Sequence, residues 1–309
     1  MSERVLAVID GNSLLHRAFH ALPTSMTAPD GRPTNAVYGF VSMLLKLCDQ
    51  VCPDDLICVF DKGKPAFRIE ALARYKVHRP PTPDELRPQF GMIKHVLAAM
   101  NVPCFELEGW EGDDLLGTLA EKGVAAGWRV LLITGDKDAL QLVNDRVSVV
   151  TTRQGITDIR IYDPAGVEER LGVTPEQVPD YLGLKGDTSD NIPGVPGIGE
   201  KTAAKLIQQY GSLDAVLEHA DEVPGKIGEN LRANAEEARV SRLVATIRRD
   251  VPIDVDLDAA TWGAIDADAV VKAFGELRMV SFVEKVLALG RRATGAGAAV
   301  RAATVASVP

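Results

Sequence analysis

Residues 129–136 read RVLLITGD, a short unbroken apolar run that stops at an aspartate, Asp136. Two earlier runs end the same way: RVLAVID (4–10) at Asp10 and DLICVFD (55–61) at Asp61. Short apolar runs rich in β-branched residues, alternating with helical segments, predict parallel strands buried on both faces. The intervening stretches AVYGFVSMLLKLCDQV (36–51) and LRPQFGMIKHVLAAM (86–100) carry apolar residues at helical spacing. Together they predict an α/β fold with a parallel-rich twisted sheet flanked by helices. Ligands of such sheets bind beyond the carboxyl ends of the strands, so all three terminal aspartates are expected on one edge. A further strand-like segment, VPCFELEGW (102–110), leads to that edge as well.

What it delivers there is WEGDDLLG (110–117), with Glu111, Asp113 and Asp114 crowded ahead of an apolar helix. One or two acids serve as caps and complement the helix dipole; a third adds repulsion for little return. Past the third strand, Asp138 follows Asp136 by two, so both project to one side if the backbone stays extended. In KGDTSDNIPG (185–194), Asp187 and Asp190 are three apart, neighbours on a helical face. They join the others only if the chain after residue 165 folds over the sheet edge. Each aspartate alone reads as an ordinary strand-end or turn residue, but their joint arrival implies cations. Like charges at close range raise one another's pKa, and carboxylates without Cys or His favour Mg²⁺ or Mn²⁺. The number of acids suits two ions, roughly 3.5–4 Å apart in phosphoryl-transfer sites. A dehalogenase-type phosphatase needs a second Asp two residues after the first, and that position is Asn12.

Composition sets the outer bounds. The chain has 309 residues, enough for one large domain or two ordinary ones. Its formal charge of −9 argues against a general polyanion binder, though a net figure hides local patches. No run approaches the ~18–20 apolar residues of a membrane span, and MSERVLAVIDGN passes directly into a strand, so no signal peptide is expected. The cysteines, Cys48, Cys52, Cys58 and Cys104, form no CxxC pair and read as free thiols of a reducing cytoplasm.

Directly after Asp61 the segment KGKPAFRIEALARYKVHRPPTP (62–83) is strongly basic. As one helix ended by Pro80-Pro81, it would set Arg68, Tyr75 and Arg79 on a common face beside the acids. Basic groups there can hold phosphates, and an aromatic among them can stack a base. Beyond about residue 165 strand-like runs give way to short helices with Gly/Pro turns. Among them PGVPGIGEKTAAKL (193–206) is a helix–hairpin–helix pattern. Gly194, Gly197 and Gly199 permit a tight turn with outward N–H groups, and Lys201 and Thr202 add side-chain donors at a helix start. Such a hairpin grips a phosphodiester backbone and reads no bases. The spacing is not that of a nucleotide P-loop. From Arg291 an Ala/Gly/Val stretch reads as a flexible tail or linker.

VIDGNSLLHRAFHALP, FDKGKPAFRIEALARYKVHRPPTP, WEGDDLLGTLA, ITGDKDALQLV and LKGDTSDNIPGVPGIGEKTA resemble, in order and spacing, the 5′-nuclease (flap endonuclease) family, and within it the bacterial polymerase I-type 5′→3′ exonuclease domains. The resemblance spans about residues 4–290. It implies a PIN-like nuclease core at 1–166 with a helical arch at about 62–90. A helical DNA-binding region at 167–290 follows, its hairpin at about 187–210, then the tail at 291–309. It assigns Asp10, Asp61, Glu111 and Asp113 to one metal cluster and Asp136, Asp138, Asp187 and Asp190 to a second. Asp113 lies between them, with Asp114 an additional acid. It places Arg17, Arg68, Tyr75, Lys76 and Arg79 at the DNA, Lys76 and Arg79 steering the scissile phosphate, and puts a potassium ion at the hairpin. The implied activity is Mg²⁺-dependent hydrolysis of DNA at 5′ flaps, nicks and 5′ overhangs, in replication primer removal and repair. RNA–DNA primer ends and a polymerase domain in cis or trans are the implied partners of a monomer in the cytoplasm, at the nucleoid. A nuclease-inactive DNA-structure binder and a PIN-type ribonuclease are the other readings. The family's usual tyrosine and alanine before the paired acids are Trp110 and Gly112 here; neither supplies a ligand.

Overall fold

The aspartate-terminated runs are strands: β1 (Val5–Asp10), β2 (Asp55–Val59) and β4 (Arg129–Ile133), joined by a two-residue β3 (Cys104–Phe105). A computed structural model describes residues 4–152, 159–258, 262 and 264–291, so most of the expected tail lies outside the described residues. Two strands go beyond those expected, β5 (Val147–Thr152) and β6 (Ile159–Tyr162). The sheet order is β3-β2-β1-β4-β5-β6, every pair parallel except β5 with β6. The chain steps outward from β1 in one direction and from β4 in the other. The crevice between the carboxyl ends of β1 and β4 is therefore the switch point where ligands of open sheets bind.

Side chains alternate across this buried sheet. Leu6 and Val8 face one core, which also takes Leu115, Leu116 and Leu119 of α5 (Gly112–Ala125). Val5, Ala7 and Ile9 face the other, packed by α1 (Gly11–Ala21), α2 (Asn35–Val51) and α4 (Arg87–Ala99). The short α3 (Ala66–Ala71) lies between β2 and α4 in sequence.

Helices α6 (Pro164–Leu171), α7 (Val178–Lys185), α8 (Glu200–Tyr210), α9 (Leu213–Glu218), α10 (Gly225–Ala233) and α11 (Ala235–Ala245) continue the first core. The chain then returns along α5. Gln141 donates to the Ala245 carbonyl at 3.0 Å and accepts from the Ile247 N–H at 2.8 Å, and the Val251 N–H reaches Thr118 Oγ1 at 3.0 Å. At Gly117 a Cβ would stand 2.6 Å from the Arg248 carbonyl, so only glycine allows this approach. Finally α12 (Ala267–Glu276) and α13 (Val283–Arg291) cover the second core through Phe274, Val286 and Leu289.

Candidate metal centre and DNA-facing edge

Asp10 closes β1 and caps α1. Its Oδ1 accepts the Ser13 N–H at 2.9 Å and its Oδ2 the Thr134 hydroxyl at 2.8 Å. Across the crevice Ser13 Oγ accepts the Gly135 N–H at 2.8 Å, locking α1 to the end of β4. Asp61 follows β2 by two residues. Asn12 brackets it, donating to Oδ2 at 3.0 Å and accepting its backbone N–H at 3.1 Å. The Gly112 N–H donates to Asp61 Oδ1 at 2.6 Å, bringing the start of α5 to the same place.

Asp113 belongs to that first turn of α5. Its Oδ1 is buried and has no hydrogen-bond partner among the described residues. Burial, with Asp136 and Asp10 nearby, pushes its pKa well above the carboxylate range. Asp10 is pushed up to about 7, by burial first and then by Asp61. Asp61 is raised too, although it opens onto the cleft, because the surrounding protein leaves it little water. Asp136 accepts the Asp138 N–H at 2.9 Å, which turns the chain into the 3₁₀ segment Asp138–Leu142. Burial and then Asp136, Asp187 and Asp190 raise Asp138 well above normal. The latter pair reach the edge on the loop after α7, a hairpin-like turn closed by Asp187 and Ile192. Thus the structure gathers Asp10, Asp61, Asp113 and Asp136 round one cleft of about 380 Å³. Asp138, Asp187 and Asp190 sit beside Asp136 on its flank.

The basic segment departs from expectation. It is not one helix: α3 stops at Ala71, and single i→i+3 turns follow to Arg79. The helix breaks at Leu72, whose backbone is extended (φ −142°, ψ 92°); further on Lys76 is left-handed, with φ +53°, and its N–H leaves the local turn for the Asp190 carbonyl at 2.9 Å. Lys76 Nζ then lies 2.6 Å from Glu111 Oε1, and Arg79 Nη2 2.5 Å from Asp190 Oδ1. Both cations line the cleft.

Four assignments need correction. Asp114 does not join the cleft acids: it is fully buried, and its carboxylate takes two bonds from Arg68, at 2.6 and 2.7 Å, and the Arg248 N–H at 2.9 Å. Arg68 is buried as well, its guanidinium turned to Asp114 rather than to the surface. Tyr75 cannot stack a base in this arrangement, because its ring is buried and its hydroxyl donates to Glu111 Oε2 at 2.8 Å. Gly194 does not present an outward amide. Its N–H donates inward to Ser241 Oγ at 3.1 Å, and a Cβ there would meet the Gly186 nitrogen at 2.3 Å.

The rest of the hairpin is open. Gly197, with φ +80°, and Gly199 are exposed, and no side chain caps the α8 N-terminus where Lys201 and Thr202 sit. Arg17 is half-buried on α1 against Gly135, at the mouth of a small cavity.

A family model described as "5′-3′ exonuclease, N-terminal resolvase-like domain" matches residues 5–172, and one described as "5′-3′ exonuclease, C-terminal SAM fold" matches residues 173–268. The chain belongs to the 5′–3′ exonuclease family. DNA polymerase I of Bacillus caldotenax is 46% identical over 285 residues, 92% of this chain and 32% of that protein. DNA polymerase I of Bacillus subtilis is 43% identical over 288 residues, 93% of this chain and 33% of that protein. The chain thus spans about a third of the length of these curated relatives. Bacteriophage T5 flap endonuclease, solved as a pseudo-enzyme–product complex with DNA and metal ions, superposes with a TM-score of 0.64 at 25% identity, covering 93% of this chain and 100% of that one. The architecture is a mostly parallel six-stranded sheet with flanking helices and a helical C-terminal part, and its chemistry is that of a 5′–3′ exonuclease, phosphodiester hydrolysis of DNA.

The donor set of this exonuclease edge fits a hard divalent cation. It is all oxygen, it repels itself, and it holds a buried carboxylate oxygen with nothing to accept from. Among the described residues no three His, Cys, Asp or Glu side chains close round one point as a finished coordination shell. Lys76 and Arg79 stand there against Glu111 and Asp190 instead. Several residues shape the edge without a sequence signal. Asn12 and Thr134 hold the two strand-end aspartates, His16 lines the cleft, and residues 244–251 brace α5 from behind. Asn12 was visible only as the missing phosphatase acid. Among the described residues no helix is long and apolar enough to cross a membrane.

Proposed function

We propose that this exonuclease domain is structure-specific, cutting DNA where duplex meets a single-stranded 5′ flap, nick or 5′ overhang, with two Mg²⁺ or Mn²⁺ ions. The observation that carries the reading is the crowded cleft, lined by Asp113, whose buried Oδ1 has no partner among the described residues. Asp10, Asp61, Glu111 and Asp113 would hold one ion and Asp136, Asp138, Asp187 and Asp190 the other, with Asp113 between. Bound there, divalent cations supply Lewis acidity and a water of lowered pKa.

The chain's own residues supply the rest. Lys76 and Arg79 neutralise Glu111 and Asp190 in this arrangement. With divalent ions held by those carboxylates, Lys76 and Arg79 would be free to face the scissile phosphate and its developing charge. The exposed amides of Gly199 and Lys201, with the Lys201 and Thr202 side chains, would hold the duplex backbone without reading bases, and a potassium ion fits the same turn. Cut position then follows from DNA structure rather than sequence. A role in primer removal and repair, with RNA–DNA ends as substrates, goes with a polymerase domain on the same chain or as a partner, since the matched relatives are three times as long.

A labelled 5′-flap duplex incubated with and without Mg²⁺ tests the reading. Cleavage is expected only with Mg²⁺ and is lost in Asp136→Asn. A protein that binds the flap but leaves it intact in Mn²⁺ would instead be a DNA-structure binder, and preference for an RNA flap would make it a ribonuclease.

A further inference from the structure

Arg68 spends every one of its five N–H donors inside the protein. Nε donates to the Val244 carbonyl at 2.9 Å. Nη1 donates to Asp114 Oδ2 at 2.6 Å and Glu111 Oε2 at 3.0 Å, and Nη2 to Asp114 Oδ1 at 2.7 Å and the Thr246 carbonyl at 3.2 Å. Its side chain is 3% exposed and that of Asp114 is not exposed at all. A buried pair survives this well satisfied only because the fork geometry matches the carboxylate and the leftover donors find carbonyls.

The arrangement has three arms. One runs to the end of α11, through the carbonyls of Val244 and Thr246. A second runs to Asp114, on the side of α5 turned away from the cleft. The third runs to Glu111, whose Oε1 meets the cleft-lining Lys76 while its Oε2 is held by Arg68 and Tyr75. Charge matters as much as shape. Arg68 beside Glu111 alone would be a competing cation, cancelling the charge a metal needs. Asp114 supplies the compensating negative charge, so Glu111 keeps its own while remaining pinned.

We propose that Arg68 and Asp114 are positioning residues for Glu111: together they fix the angle at which Glu111 would present Oε1, the oxygen that Lys76 holds here, to a divalent ion, and tie that angle to the seating of the α11 C-terminus. The proposal rests on the reading of Glu111 as a metal ligand. Outer-shell partners of this kind alter metal affinity 10- to 100-fold.

Mn²⁺ affinity, measured by titration calorimetry on the DNA-free protein, tests it. Asp114→Asn leaves Arg68 facing Glu111 without its counter-charge and is expected to weaken Mn²⁺ binding about 10-fold or more. Should that variant fold poorly, the double variant Arg68→Met/Asp114→Leu removes both charges and fills the volume, and the same weakening is expected. Leu213→Ala, buried in α9 and not among the residues lining the cleft, controls for stability, with an expected loss of Tm and unchanged affinity. Cleavage by the Asp114 variant should recover at high Mn²⁺. Unchanged Mn²⁺ affinity in both Asp114→Asn and the double variant would overturn the proposal while leaving the metal site intact. If wild type and Asp113→Asn bind Mn²⁺ equally, the metal reading falls and takes the proposal with it.

Discussion

Lys76 Nζ lies 2.6 Å from Glu111 Oε1, an ion pair set inside the cleft rather than on the surface. A divalent ion that binds Glu111 must displace it. Replacing Lys76 with Met should therefore act in opposite directions on two measurements. Mn²⁺ affinity without DNA should rise severalfold, because the internal competitor is gone. Flap cleavage at saturating Mn²⁺ should fall by about 10²-fold, the usual cost of one donor lost from developing charge. Parallel losses in both measurements would contradict the displacement.

The raised carboxylates make the metal-free protein sensitive to alkali. Asp10, pushed up to about 7, and Asp113, raised well above normal, bind protons in the folded state that the unfolded chain has already released by pH 5. Their contribution to stability is complete below the ordinary carboxylate pKa and is lost as pH rises through the folded values. In EDTA, Tm should fall by several degrees between pH 5 and pH 8. Mg²⁺ should restore it at pH 8. Asp113→Asn should flatten the pH dependence and remove most of the Mg²⁺ gain; a Tm in EDTA that climbs from pH 5 to 8 would contradict this.

Gly112 stands where the family usually carries alanine. Its N–H holds Asp61 Oδ1 at 2.6 Å, and an added Cβ would lie 3.1 Å from that same oxygen. Gly112→Ala is accordingly expected to fold normally and to shift Asp61 by a few tenths of an ångström. Mn²⁺ affinity should change by less than about 10-fold, a displacement smaller than loss of a ligand partner. Calorimetry beside Asp61→Asn, which should lose far more, checks the scale.

At the hairpin the expected effect falls on binding alone. Lys201→Ala should raise KM for a flap duplex severalfold, leave kcat unchanged, and reduce the slope of log Kd against log salt by about one, as for one phosphate contact. A fall in kcat at saturating DNA would place Lys201 in the chemistry instead.

Legibility in the sequence followed the range of the interactions. The strands that lead to Asp10, Asp61 and Asp136 were readable because burial on both faces writes a continuous apolar run, and the sheet then fixes where their ends meet. Asp187 and Asp190 were readable only as a pair; their place beside Asp136 depends on the loop after α7 folding back, which spacing does not encode. Asp114 and Arg68 misled for a physical reason. Two carboxylates side by side on a helix point about 100° apart, so one can face the cleft while the other faces the core. An arginine in a basic run can equally be the partner of the buried one. Tyr75 shows the same limit, since an aromatic that could stack a base is indistinguishable from one whose hydroxyl supports Glu111. The left-handed Lys76, in the irregular turns after α3, has no propensity signal at all.

The return of the chain along α5 fixes the reach of the molecule. Residues 244–251 are fastened to Arg68, Asp114, Gln141 and Thr118, and the chain then crosses to the far face of the sheet to finish as α12 and α13. A helical part sewn in at both ends cannot swing as a tethered arm. On the proposed reading, a duplex held at the α8 hairpin would meet the acidic cleft at one distance, and the fold would act as a ruler that sets the place of the cut in nucleotides.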